Sequence, residues 1–300
     1  MQTTSDLVLG APRRTALPGL GALGSVLRFM RRKPLGAIGL VLMLVFVAMA
    51  LLAPVVSPHE PNVAIQGATY RAPGKDFALG TDKFGRDELS RVLRGATISL
   101  EVGVFTVGLG VTFGILVGLV SGYFGGKTDF LLQRIVESFQ ALPNIIFALA
   151  IVTALGRSLW NVVIALAIAS WPGVSRVIRS SVLSIKQMSY VDAARATGCG
   201  PVRILWRHIL PNVVPVAIIL ATAGLGAAIL AEASLSFLGV GIRPPTPSWG
   251  SMINDSSGVI QRYPYLVIFP GIAISLVVFA FNFLGDALRD YLDPRLRGAR

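Results

Sequence analysis

From Leu35 to Val56 the chain runs for about 22 residues without a charged side chain. At roughly 1.5 Å per helical residue, such a run covers the roughly 30 Å hydrocarbon core of a bilayer. A helix satisfies its own backbone in lipid, so this segment is expected to cross a membrane as one. Arg28, Arg31, Arg32 and Lys33 stand just before it. Ala48-Met49-Ala50 resembles a cleavage site, but a secretory signal has an apolar region of only about 7 to 15 residues, so the helix is expected to be retained.

The rest of the chain has the same character. Of 300 residues, 53% are hydrophobic and only 14% charged, whereas soluble domains carry about a quarter charged residues. Five further apolar spans follow: Thr97 to Ser121, Phe130 to Leu155, Leu159 to Val177, Val213 to Ala231 and Tyr265 to Leu288. Six spans put both termini on one side. On that side Lys and Arg number 6 before the first span, 2 around Lys127, 6 from Arg176 to Arg207 and 4 from Arg289 onward. The opposite side holds 9, of which 6 lie between Arg71 and Arg94 and are nearly balanced by Glu60, Asp76, Asp82, Asp87 and Glu88. The excess of basic residues predicts that both termini are cytoplasmic.

The chain then divides into a cytoplasmic segment 1–34, a first helix 35–56, an extracytoplasmic segment 57–96 and a core of five spans over 97–288, followed by a cytoplasmic tail 289–300. Residues 186–211 form a cytoplasmic loop within the core, and residues 233–263 an extracytoplasmic one. In the segment 57–96, Leu89, Val92 and Leu93 are spaced for a short surface helix, and the surrounding charges read as a solvated cap.

Several function classes fall away. The formal charge of +12 is scattered in short segments, with no basic domain and no aromatic-interleaved patch for nucleic acid. The one cysteine, Cys199, allows no disulfide framework and reads as a small buried residue. Ser121 to Thr128, SGYFGGKT, misses a phosphate-binding loop by one residue, and it follows a membrane helix where that motif needs a strand. His59 and His208 fall on opposite sides of the membrane, so no nucleophile and base or metal pair forms around them. Glu101, Glu232 and Asp286 all sit near span ends, where water is expected to reach them. A secondary transporter usually needs ionisable groups near the midplane, so energy for any solute movement is expected from outside the chain.

Gly110, Gly114, Gly118 and Gly122 recur every four residues and so share one helix face. In lipid, small residues on one face let helix backbones approach closely, and this stripe predicts a helix contact. Between two apolar runs lies YVDAARATGCGPVRILWRHILPN, from Tyr190 to Asn212. Lys186 to Thr197 can form a helix, Gly198 and Gly200 break it, and Val202 to Ile209 can form another before Pro211. A compact protrusion of this kind can be gripped by a partner and pass a push to the helices on either side.

Asp192-Ala193-Ala194, three residues, Gly198, nine residues and Leu210-Pro211 resemble the E-A-A-x3-G-x9-I-x-L-P loop of permease subunits in ATP-binding-cassette importers. Asp192 replaces the glutamate and His208 the isoleucine. Leu79 to Leu100, Gly122 to Gly126, Ala141 to Asn144, Ala233 to Met252 and Phe281 to Leu296 are similar to the C-type permease of dipeptide, oligopeptide and nickel importers. The resemblance implies an all-α integral membrane fold of the type I importer permease, with six transmembrane helices in a bacterial inner membrane and no catalysis by this chain. It implies a paralogous B-type permease, two ATPase subunits that hold ATP and magnesium, and an extracytoplasmic binding protein as partners. It also marks Tyr190, Asp192, Ala193, Ala194, Gly198, Arg203, His208, Leu210 and Pro211 for ATPase coupling. Phe237, Gly239, Gly241, Pro245, Pro247 and Trp249 fall in a loop for binding-protein contact or outer gating, stiffened by its prolines. Peptides are the expected cargo, with glutathione or nickel chelates as the alternative within the class. A self-sufficient channel or secondary transporter, and a membrane scaffold or enzyme, are the alternatives outside it.

Overall fold

Residues 33–292 are described by a computed structural model; most of the expected terminal segments 1–34 and 289–300 lie outside them. The long helices are α1 (Pro34–Val56), α2 (Glu88–Phe124), α5 (Leu159–Ile185), α8 (Leu210–Phe237) and α10 (Tyr265–Leu292). Between them come α3 (Gly126–Gln140), α4 (Asn144–Leu155), α6 (Ser189–Ala196), α7 (Pro201–Ile204), a π-helical turn Leu205–Ile209 and α9 (Trp249–Ser256). Among the described residues, five helical stretches are long and apolar enough to cross a membrane, and a sixth crossing results if α3 and α4 count as one.

Local chemistry sets the helix ends. Pro34 occupies the first turn of α1, where its missing N–H costs nothing. The Asp87 carboxylate accepts the Ser90 N–H at 2.9 Å and caps α2, and Ser158 caps α5 by accepting the Asn161 N–H at 3.1 Å. The surface helix expected in the segment 57–96 is not a separate element: it is the first two turns of α2. At 37 residues and roughly 1.5 Å per residue, α2 is about 55 Å long and stands well clear of the hydrocarbon.

The span expected over Phe130 to Leu155 is broken. α3 and α4 meet at an angle of 83°. Pro143 precedes α4; it offers no N–H, and it disfavours helical backbone at Leu142, so the ladder stops there.

The glycine stripe of α2 lies against α5. A Cβ at Gly110 would fall 2.6 Å from Ser170 Oγ, at Gly114 2.7 Å from Val174 Cβ, at Gly118 2.7 Å from the Ser175 carbonyl oxygen, and at Gly122 2.8 Å from Val182 Cβ. Nothing larger than glycine fits, so the two backbones pack at close range along about three turns. α1 packs on α10 and α2 with much of its surface turned outward, as a lipid-facing helix does. Lys33 and Asp290 pair at 2.5 Å and fix the start of α1 to the end of α10, on the side where residues 186–211 also lie.

Candidate coupling and translocation elements

Residues 186–211 fold as two short helices about a tight turn. α6 ends at Ala196 with Thr197 as its cap, and Gly198 has φ +80°, the left-handed conformation glycine adopts without a Cβ penalty. The Gly198 N–H reaches the Arg195 carbonyl at 2.9 Å and the Cys199 N–H the Ala194 carbonyl at 3.0 Å. This pair of bonds is a Schellman cap. α7 then passes into the π turn, where the Leu210 N–H reaches back five residues to the Leu205 carbonyl. Pro211 explains the wide turn: it cannot donate, and its ring clashes with the carbonyl four residues earlier in a regular helix. The His208 carbonyl accepts the Asn212 Nδ2–H at 2.7 Å and the Tyr190 hydroxyl at 3.5 Å, which ties α6 to the start of α8.

One face of this protrusion is rooted in the membrane helices. Val191, Ala194, Ile204 and Ile209 are buried in one cluster with Leu119 of α2 and Ile178, Val182 and Ile185 of α5. The other face is open. Val202 is 64% and Trp206 59% exposed, and Met188 and Tyr190 are also exposed. Among the described residues Asp192 pairs only with Arg195, at 2.8 Å on the surface. Beside the protrusion, Asp129 of α3 takes Arg179 of α5 through Nε at 2.6 Å and Nη2 at 2.5 Å, and the Ser121 hydroxyl also donates to it. Lys186 Nζ donates to the Gly122 carbonyl at 2.8 Å. The residues of SGYFGGKT are therefore the end of α2, the Gly125 turn and the start of α3, with Ser121 engaged by a carboxylate.

At the opposite end, the charges read as solvated are enclosed. Asp82, Arg86, Asp87, Glu88 and Arg91 are all buried. Asp82 accepts Arg86 Nε at 2.6 Å and lies 3.7 Å from Arg91 Nε. The 57–87 segment is further held by the Tyr265 hydroxyl on the Arg71 carbonyl at 2.9 Å and by Lys83 on Asp255 at 2.9 Å.

The description "binding-protein-dependent transport system inner membrane component" belongs to the family whose profile matches residues 110–298. The chain belongs to that family. Residues 22–73 also match the N-terminal transmembrane domain of oligopeptide transport permease C. This permease is 41% identical over 268 residues to a dipeptide transport system permease protein of Alkalihalophilus pseudofirmus, covering 89% of this chain and 88% of the relative. It is 40% identical over 271 residues to a glutathione transport system permease protein of Pectobacterium atrosepticum, covering 90% of each. Its fold matches an inward-facing MetNI methionine ABC transporter with a TM-score of 0.57 at 19% identity, over 68% of this chain and 96% of that one. The permease is thus a multi-pass inner-membrane subunit of an ATP-driven importer, and not itself an enzyme.

The structure redistributes the residues that the sequence picked out in this permease. Ala193, Asp192, Arg203 and Pro211 are exposed on the protrusion, but Ala194 is buried against its root, so only one of the two alanines can meet a partner. Gly198 forms the turn and Leu210 and His208 are half-buried. In the 233–263 loop, Phe237 and Pro245 are exposed, whereas Gly241, Pro247 and Trp249 are buried. Trp249 is a packing residue, not a contact surface: its Nε1–H donates to the Val92 carbonyl at 3.0 Å and its ring lies 5.3 Å from that of Phe46. Glu232, expected at a hydrated span end, is fully enclosed, and the Ser236 hydroxyl donates to it at 2.7 Å. Sequence reading missed Val202 and Trp206 as surface residues, since an apolar side chain in a short helix is ordinarily assigned to its core.

Proposed function

We propose that this permease supplies half of a translocation path for peptides and is driven through residues 186–211 by an ATPase docked on the cytoplasmic side. A paralogous permease forms the other half, two ATPase subunits carry ATP and magnesium, and an extracytoplasmic binding protein delivers the cargo. Relatives at 40–41% identity named for dipeptide, peptide and glutathione transport support the cargo class. The protrusion itself carries the coupling reading: a small body with Val202, Trp206, Met188 and Tyr190 outward is an exposed apolar patch, which marks an interaction surface. Because α6 and the π turn share one buried cluster with α2 and α5, a displacement of the protrusion moves those helices as a body. Tight packing transmits the push, where a loose loop would absorb it.

Truncating Trp206 to alanine is expected to remove an interface anchor. Such anchors are worth about 2 kcal/mol or more, so ATPase recovered with the purified complex should fall by at least about tenfold. Recovery and uptake at wild-type levels would refute the docking assignment. The orientation has its own check in Cys199, the chain's only cysteine, which is partly exposed on the protrusion. A membrane-impermeant maleimide is expected to label it in inside-out vesicles and to leave it untouched in intact cells.

A further inference from the structure

An apolar cavity of about 210 Å³ opens between α2, α4, α5 and α8. Small residues leave it open: its α8 wall includes Gly224, Ala227, Ala228 and Ala231 beside Leu220, and its α5 wall includes Ala169 and Ser170. The Thr106 hydroxyl on this wall is buried and has no hydrogen-bond partner among the described residues. With Ser170 and Asn144 it puts three polar side chains in a wall that is otherwise apolar. At Asn144 the cavity meets a second, wider cleft of about 710 Å³, lined by Glu137, Gln140 and Arg176 around the bend between α3 and α4. Glu137 is already paired with Arg134 at 2.9 Å, while Arg176 is exposed and has no ion pair among the described residues.

We infer that the cavity is a transient seat for one apolar side chain of the passing peptide, whose main chain lies along the adjoining polar cleft. This rests on the peptide reading above and places one contact of it on this chain. Size agrees: an engineered cavity of about 150 Å³ lined by apolar side chains takes up benzene, so 210 Å³ admits a leucine or phenylalanine side chain. Chemistry separates a peptide from the other apolar visitors. A lipid tail has no use for Asn144 or Arg176, and a helix of another subunit has already satisfied its own backbone. An extended peptide brings an apolar side chain together with unpaired carbonyls, N–H groups and a terminal carboxylate. Binding pockets of mostly apolar lining with a few convergent polar groups have this composition.

The test fills the cavity in the complete importer, supplied with its binding protein, and compares uptake of radiolabelled alanylalanine and leucylleucine. Gly224→Leu is expected to lower leucylleucine uptake at least about tenfold while alanylalanine stays within about twofold, the scale at which apolar pockets discriminate by size. A Cβ at Gly224 meets nothing nearer than 3.4 Å, so Gly224→Ala folds in any case and should shift the same ratio by about threefold. An unchanged ratio, or an equal fall for both peptides in a variant that accumulates normally, overturns the seat and assigns the cavity to lipid or to a neighbouring helix. If the wild-type importer takes up neither peptide, the cargo reading itself has failed, and that result appears before any variant is made.

Discussion

Gly198→Pro is expected to abolish uptake while the protein still reaches the membrane at normal abundance. Proline holds φ near about −65°, against +80° at this position, and it removes the N–H that reaches the Arg195 carbonyl. Both bonds of the cap that turns α6 back towards α7 are lost with it. The membrane spans before and after do not depend on that turn for insertion, because each satisfies its own backbone. What fails is the fixed relation between the exposed face of α6 and the rooted π turn. Gly198→Ala separates this from crowding: nothing lies within 4 Å of a Cβ there, so alanine meets only the left-handed penalty of about 1–2 kcal/mol and should retain partial uptake. Uptake assays paired with quantification of membrane-bound permease and of copurified ATPase decide it. Normal transport by the proline variant at normal abundance would remove the protrusion from the mechanism.

How much of this was written in the sequence depends on the kind of signal each element leaves. The spans are legible because lipid demands long uncharged runs, and Leu35 to Val56 needs no partner to be recognised. The glycine stripe of α2 is legible because a spacing of four keeps one helix face, and Gly110, Gly114, Gly118 and Gly122 all point at α5. The bend between α3 and α4 is not, since hydropathy integrates over a window and is blind to an 83° change of direction; Pro143 was the one visible clue. Asp82, Arg86, Asp87 and Arg91 were read as solvated for a similar reason. A balanced set of charges has the same composition whether it is spread in water or closed on itself, and only the fold shows Asp82 held between two arginines. Ala194 and Trp249 illustrate the converse: both sit in motifs that mark function, and both turn inward, because a motif preserves the scaffold that presents a surface as well as the surface itself.

The inward turn of Trp249 sets a large structural effect, and Gly250→Val is the substitution that exposes it. A Cβ at Gly250 would sit 2.1 Å from the Ala233 carbonyl oxygen and 2.7 Å from its carbonyl carbon. Both are backbone atoms of α8, so no side chain can swing aside, and α9 must lift from α8. Lifting α9 withdraws Trp249 from the slot where its ring fills the space above Gly95, whose own Cβ would fall 2.7 Å from that ring. Emptying a buried tryptophan site costs about 3–5 kcal/mol, a large share of the roughly 5–15 kcal/mol by which folded proteins are stable. Gly250→Val is therefore expected to prevent accumulation, or to lower the unfolding midpoint of the detergent-solubilised complex by about 10 °C. Trp249→Phe keeps most of the ring contact and loses chiefly the bond to the Val92 carbonyl, so a loss of about 1 kcal/mol should leave uptake measurable. A valine variant with wild-type abundance and midpoint would mean that α9 is not wedged against α8. Phe237 and Pro245 are exposed in the same loop, and their position depends on that wedge, so an outer contact made through them has to weaken whenever the wedge does.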